Sequence, residues 1–337
     1  MKALFLTNRA PRHQKIAMQA APDFLDMTML EAPSRDSILA NIADAEVLIT
    51  ERSGVIDAGI VEAGRKLRLV QRLGRFTHDI DVAAVERAGA ALCFSPLLVS
   101  TLVSEHVVMQ VLALAKTYRE AAHAMLQPGD WPQPRKCDEN YFAYNWTGRT
   151  GMRTLADSTV GIVGLGEIGA DVARRLQGFG CEVLYYKRNR LPEAVEAELG
   201  IAYADLDAIR ARSDFLCLLT PHSPGAGESI DRAYIDRMKP GAFLVSTGAS
   251  TVLKEADVAE AVLDGRLAGV ASDGFVYEPA PLDSPLLSLA REHPQANVIL
   301  SPHIAGGVAS NDVAARAREF ENIRRLKDGR PLLYRLV

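Results

Sequence analysis

The sequence predicts an α/β protein built from two doubly wound parallel sheets with a cleft between the two domains. Three observations predict it. Short apolar runs alternate with helical segments along most of the chain. The stretch Ser158 to Gly169, STVGIVGLGEIG, is an apolar strand that enters a glycine turn at Gly164, Gly166 and Gly169. A helical segment from Ala170 to Phe179 and a second strand, Glu182 to Tyr186, then close a βαβ unit, so the fold is Rossmann-like.

In the first part of the chain, strands are expected at Lys2 to Thr7, Ala45 to Thr50, Leu67 to Leu73 and Ala91 to Phe94, with helices between them. A long helix follows from Leu102 to Glu120, with an apolar face broad enough to be buried. Residues 127 to 151 are rich in Pro, Gly, Trp, Tyr and Asn and read as a structured loop. The βα pattern then resumes, with strands near Glu182, Phe215, Ala242, Gly269 and Asn297. A last amphipathic helix, Asp312 to Asp328, ends at Gly329, and the tail from Arg330 is free to return to the first domain. The expected domains are 1–101 with 305–337, which would bind substrate, and 102–304, which would bind a dinucleotide.

The glycine turn has a mechanism. Its first glycine permits the tight turn, its second lets backbone approach a pyrophosphate, and its third lets helix pack on strand. Gly164, Gly166, Glu167 and Ile168 would meet the pyrophosphate mainly through backbone amides, aided by the helix dipole. Thr220 and Pro221, at the end of the DFLCLL strand, would border the adenosine ribose. An NAD-binding unit carries an acidic residue about 20 residues past the turn. Here Lys187, Arg188, Asn189 and Arg190 stand there instead. Cations without a repelling carboxylate favour the 2′-phosphate, so NADP is expected over NAD.

Composition narrows the partners. The 337 residues carry a net charge of −4, so neither nucleic acid nor an anionic membrane is an expected partner, and a small molecule is. No signal segment and no apolar run of membrane-spanning length is read. The cysteines at 93, 137, 181 and 217 lack metal-ligand spacing, so no metal is expected and a reducing cytoplasm is.

Behind GLGEIG come LVSTGASTV (244 to 252), GVASDGFVYEP (269 to 279) and SPHIAGG (301 to 307). With LGRFTHDID (73 to 81) and LLTPHSPGAGESI (218 to 230), this order resembles the D-isomer-specific 2-hydroxyacid dehydrogenases over nearly the whole chain. The segment 184 to 200, LYYKRNRLPEAVEAELG, looks like the formate dehydrogenase branch. The resemblance implies that His303 is the general acid and base and that Glu278, five residues after Asp273, is its carboxylate partner. A carboxylate against an imidazole favours the charged ring, so a proton is at hand when hydride reaches a carbonyl carbon. Asp273 resembles the residue that holds the nicotinamide carboxamide. Thr247 lies at a strand end beneath that ring, and His303 and Gly306 count among the cofactor contacts. The long helix and the 127 to 151 loop resemble the family's dimerisation region, which implies a homodimer.

The chain departs from the family at one catalytic position. The family's arginine, in an NTARG-like turn 29 residues before the glutamate, is replaced by Ala249 in STGAS. Such an arginine grips the substrate carboxylate with charge-assisted bonds of about 1.5 to 3 kcal/mol each. Three readings follow. The charge is relocated, with Arg75 or Arg52 as anchor and Phe76, where a second glycine is expected, reshaping the pocket. Alternatively the substrate lacks a carboxylate beside its carbonyl. In the third reading the protein senses cofactor without turnover, which intact His303 and Glu278 argue against. The expected function is hydride transfer between a nicotinamide and a carbonyl or hydroxyl substrate.

Overall fold

The computed structural model describes residues 1–51, 53–220, 229–248, 252–307 and 313–337. The chain divides into two compact units, Met1–Leu102 with Gly306–Val337, and Val103–Ala305.

In the first unit, β1 (Lys2–Thr7), β2 (Asp26–Glu31), β3 (Val47–Glu51), β4 (Leu69–Leu73) and β5 (Ala91–Ser95) form a parallel sheet ordered β2-β1-β3-β4-β5. Helices α1 (Pro11–Ala20), α2 (Arg35–Ile42), α3 (Ala58–Ala63) and α4 (Val82–Arg87) alternate with the strands. The strands β3 and β4 are buried throughout, as the near-continuous apolar runs of a doubly covered sheet require. Leu4, Leu48 and Val70 pack with Ile38, Ile60 and Val85 in one layer. Phe5, Ile49 and Leu69 pack with Ala17, Phe320 and Ile323 in the other. The C-terminal tail does return here: Leu336 N–H donates to Leu92 O at 2.8 Å, and Arg335 bridges Cys93.

In the second unit, α5 (Leu98–Ala115), which begins in the first unit, and α6 (Tyr118–Met125) precede a seven-stranded parallel sheet. Its strands are β6 (Thr159–Val163), β7 (Glu182–Tyr186), β8 (Ala202–Tyr203), β9 (Phe215–Leu218), β10 (Ala242–Ser246), β11 (Leu267–Ser272) and β12 (Val298–Leu300). The order is β12-β11-β10-β9-β6-β7-β8, so the chain leaves β6 toward one edge and later returns beside it through β9. That reversal opens a crevice past the carboxyl ends of β6 and β9, where open α/β sheets bind ligands. The connecting helices are α7 (Glu167–Leu176), α8 (Glu193–Leu199), α9 (Leu206–Arg212), α10 (Arg232–Ile235), α11 (Glu255–Leu263) and α12 (Pro285–Glu292).

The structure corrects several expected elements. The strand β2 falls where the sequence suggested helix. It is an edge strand with no buried residue, so no apolar run marks it. The helix expected from Leu102 to Glu120 is broken at Thr117, whose φ is +46°. The break is held by Arg153, whose N–H donates to Ala115 O at 2.7 Å and so takes a carbonyl at the α5 terminus. The helix after the glycine turn starts at Glu167, three residues earlier than expected, which makes Gly166 its N-cap. The last helix is two pieces, α13 (Val313–Ala317) and α14 (Glu321–Lys327), joined by a 3-10 turn at Arg318–Phe320. By length and composition α5 is apolar enough to cross a bilayer, with mean hydropathy 1.6 over 18 residues, which the sequence reading did not anticipate. Half of it is buried in the protein, with Ser104 and Gln110 among its buried residues, as in the core helix of a folded domain.

Candidate active site

The glycine turn lies at the sheet's reversal point. Gly164 has φ +98°, and a Cβ there would sit 2.7 Å from Thr220 N and 2.8 Å from the Leu219 carbonyl carbon. Both are backbone atoms that cannot step aside, so only glycine fits. Gly164 N–H donates to Tyr186 O at 3.0 Å, which ties the turn to β7 as well. The first-turn amides of α7 have no intrahelical partners, and the helix dipole makes their end electropositive. Glu167 is buried and Ile168 half-buried at that first turn. The cradle therefore fits a pyrophosphate approached by backbone. Thr220 is half-buried at the exit of β9, whereas Pro221 lies outside the described residues.

The basic turn after β7 departs from expectation. Arg190 is not available as a third cation for a 2′-phosphate, because Glu196 takes its guanidinium: Nε donates to Oε1 at 2.8 Å and Nη2 to Oε2 at 2.7 Å. Tyr185 O–H also donates to Glu196 Oε1 at 2.6 Å and accepts Leu191 N–H at 2.9 Å. The Arg190 bond outweighs burial and holds the Glu196 carboxyl down at about 2. The carboxylate absent from residues 187 to 190 thus arrives one helix later. Arg188 is exposed and Lys187 half-buried.

His303 and Glu278 meet. His303 Nδ1 lies 2.7 Å from Glu278 Oε2, and Phe275 N–H donates to Glu278 Oε1 at 3.1 Å. Burial pushes the Glu278 carboxyl up, but the His303 bond, the Phe275 amide and the imidazole charge outweigh it and leave the carboxyl below its ordinary range. The carboxylate is ionised near neutrality, so Nδ1 carries the hydrogen and Nε2 is the nitrogen left for a substrate. His303 has φ +54°, a left-handed conformation that is costly for a residue with a Cβ.

Asp273 sits beneath this turn, 2% exposed. Its Oδ1 accepts Ser301 O–H at 2.6 Å and Ile304 N–H at 3.0 Å, and its Oδ2 accepts Ala305 N–H at 2.8 Å. The residue expected to hold a carboxamide therefore also anchors the segment that carries His303. Gly306, half-buried, follows directly.

Sequence reasoning missed His106 and Gln110, one turn apart on α5. His106 Nε2 lies 2.9 Å from Ser301 Oγ and 3.4 Å from Asp273 Oδ1. Gln110 Oε1 accepts Thr247 O–H at 2.8 Å, while its Nε2 is buried without a partner. Two polar residues at i and i+4 within the otherwise apolar run HVVMQVLALA were the available signal.

The remaining candidates belong to the first unit. Arg75 is half-buried, with its guanidinium carbon 5.7 Å from the centre of the Phe94 ring. Phe76 is buried and meets His78 edge-on, with ring centres 5.5 Å apart. Below them the fully buried Arg72 pairs with Asp79 at 3.0 Å and donates to Thr50 Oγ1 at 3.1 Å, which pins the 74 to 80 loop. Arg52 and Ala249 lie outside the described residues. Among the described residues no cluster of His, Cys, Asp or Glu could hold a metal.

The family model described as D-isomer specific 2-hydroxyacid dehydrogenase, NAD binding domain, matches residues 108–305. A glyoxylate reductase of Korarchaeum cryptofilum is 33% identical over 311 residues, 90% of this chain and 87% of that one. A D-3-phosphoglycerate dehydrogenase of Mycobacterium bovis is 30% identical over 305 residues, and the chain spans only 53% of its length. A solved structure from Pyrococcus horikoshii is 25% identical, with a TM-score of 0.57 over 99% of this chain and 94% of that one. Since the family match runs through the glycine turn, Asp273, Glu278 and His303, this chain belongs to the D-isomer specific 2-hydroxyacid dehydrogenase family.

Proposed function

We propose that the chain is an NAD(P)-dependent oxidoreductase that interconverts a carbonyl compound and its hydroxyl counterpart, with His303 as general acid and base. The observation that carries this reading is the 2.7 Å contact between His303 Nδ1 and Glu278 Oε2. It fixes the ring by one nitrogen and leaves Nε2 to trade a proton with a substrate oxygen. In reduction His303 releases the proton from Nε2 to the carbonyl oxygen; in oxidation it takes it back. Glu278 orients the ring through that contact. Bound nicotinamide dinucleotide supplies or accepts the hydride.

The backbone of Gly164, Gly166, Glu167 and Ile168 would hold the pyrophosphate, with Thr220 and Pro221 beside the adenosine ribose. Thr247, Asp273 and Gly306 would border the nicotinamide. We assign the preference to NADP(H), now on Lys187 and Arg188 rather than on three cations. The names of the relatives, glyoxylate reductase and D-3-phosphoglycerate dehydrogenase, support a small 2-hydroxy or 2-keto acid as the substrate class. Ala249 makes the carboxylate anchor atypical, and in this reading Arg75 or Arg52 is the relocated anchor, with Phe76 reshaping the pocket. Exposed Met109, Tyr118, Met125, Leu126, Tyr144 and Trp146 along α5, α6 and the following loop support burial against a second copy. Free thiols at all four cysteines support a reducing compartment.

The test is NADPH and NADH oxidation with a panel of 2-keto acids and uncharged carbonyls, beside His303→Ala and Arg75→Ala. Turnover of keto acids that is lost in both variants supports the reading. Turnover confined to uncharged carbonyls removes the anchor, and tight NADPH binding with no turnover on any compound favours a cofactor sensor.

A further inference from the structure

His303 occupies a left-handed conformation, at φ +54°, and such a residue persists only where its surroundings over-determine it. The surroundings converge on one carboxylate. Ser301, two residues before His303, donates its hydroxyl to Asp273, and the amides of Ile304 and Ala305, the two residues after it, donate to the same side chain. Ser301 N–H is also held by Ser272 O at 3.0 Å, at the end of β11.

The hydroxyl hydrogen of Ser301 is spent on Asp273, so Ser301 Oγ has only lone pairs to offer His106. His106 Nε2, 2.9 Å away, must therefore carry the hydrogen of that bond. The order of donation is fixed: His106 to Ser301, Ser301 to Asp273, with the amides of Ile304 and Ala305 donating to the same carboxylate. The His106 side chain is 10% exposed and stands on α5, remote in sequence from every other member of the network. It references the turn to a helix rather than to neighbouring loop.

We propose that His106 is a positioning residue for His303: through Ser301 and Asp273 it fixes the turn that aims the His303 ring at Glu278. It touches no reacting atom. The inference rests on the reading of His303 as the proton donor, although the geometry it predicts is testable without turnover. A ring displaced by about 1 Å is enough to cost a catalytic group of the order of 100-fold.

The experiment compares wild type, His106→Leu, His106→Gln and Ser301→Ala by two readouts. The first is the downfield proton resonance of His303 Nδ1–H against Glu278, identified by its loss in His303→Gln. The second is kcat and KM with NADPH and a reducible 2-keto acid. Gln places a donor near the former Nε2, and Leu fills the space without one. Expected for His106→Leu is a shifted or exchange-broadened resonance, kcat lower by about 10- to 100-fold and the KM for NADPH within about threefold of wild type. His106→Gln should recover both readouts to within about threefold, and Ser301→Ala should behave as His106→Leu. A folded His106→Leu that lowers only the melting temperature, with resonance and kcat intact, overturns the inference and makes His106 an ordinary core residue. A folded His106→Gln that fails to rescue also overturns it. If wild type turns over no substrate, the functional reading fails, and the resonance alone decides the inference: shifted in His106→Leu supports it, unmoved overturns it.

Discussion

Arg190 lays one edge of its guanidinium on Glu196, with two parallel bonds of 2.8 and 2.7 Å, at the point where a dinucleotide's ribose is expected. Glu196 belongs to α8, and Tyr185 of β7 grips the same carboxylate, so the pair is built into the helix and strand rather than formed on a loose turn. Its position makes it a control on cofactor choice. With the Glu196 carboxyl held at about 2, the pair stays charged on both sides at any working pH.

Cofactor preference should therefore fall on Lys187 and Arg188 rather than on Arg190. Arg188→Ala is expected to weaken NADPH about 10-fold or more and NADH much less, since one charge-assisted bond contributes about 1.5 to 3 kcal/mol. Arg190→Ala should be milder. Glu196→Gln, which leaves the Arg190 charge uncompensated, should tighten NADPH relative to NADH. Fluorescence titration of the two cofactors against the three variants checks the order, and equal losses of NADH and NADPH would remove the NADP assignment.

The His303 and Glu278 pair predicts a graded pair of losses. His303→Gln should lower kcat by about 100- to 10,000-fold, the usual contribution of a positioned proton donor. Glu278→Gln retains a hydrogen-bonding group of similar shape but loses the charge, and should cost less. The Glu278 carboxyl lies below its ordinary range in the folded state, so the pair is intact above that range and is lost as pH falls through the depressed value. Wild-type turnover should accordingly persist in mild acid and fall as pH drops through the depressed Glu278 value, a step that the Glu278→Gln variant lacks. Steady-state pH profiles of the two proteins measure this.

A second titration belongs to stability. Arg316 Nη1 lies 2.9 Å from Glu51 and 2.8 Å from Glu319, so one cation serves two carboxylates on the wall of a cavity of about 310 Å3 in the first unit. Burial pushes the Glu319 carboxyl up to about 7; Arg316 opposes this, and Glu51 adds to it. Between about pH 4.5 and 7 the folded chain therefore holds a proton that the unfolded chain has released, and stability falls as pH rises through that window. Glu319→Gln removes the dependence. Its melting temperature relative to wild type should increase from pH 5 to pH 8, for an effect of the order of 2 kcal/mol. Parallel melting curves at all pH values would contradict the assignment.

Gly164 and Gly178 form a contrasted pair. A Cβ at Gly164 meets the Thr220 amide at 2.7 Å and a backbone φ of +98°, whereas one at Gly178 has nothing within 4 Å. Gly164→Ala should abolish measurable dinucleotide binding and destabilise the chain by about 2 kcal/mol or more. Gly178→Ala should leave binding unchanged and stability equal or slightly raised. Thermal melts with and without NADPH separate the two.

Much of the second unit was legible because its signals are local. The strand Glu182–Tyr186 coincides with its expected span, since a buried parallel strand is a short apolar run between turn residues. The strand β2 was not legible, because an edge strand half open to solvent has no such run. Nor was the break at Thr117, which depends on Arg153 meeting the Ala115 carbonyl 38 residues downstream of that carbonyl.

By itself the sequence determined that a strand turns through Gly164 into a helix, that Glu278 follows Asp273 by five residues, and that a Pro-His pair ends the sheet. Those facts are carried by strand and helix periods and by the steric demands of single turns, all within a few residues. Only the tertiary structure decided that Arg190 faces Glu196, that His106 reaches Ser301 across 195 positions, and that Glu51 meets Arg316 across 265. Such pairings follow from strand order and from how each helix is rotated on its sheet. Both are settled by burying apolar surface over a whole unit, and no local spacing encodes them.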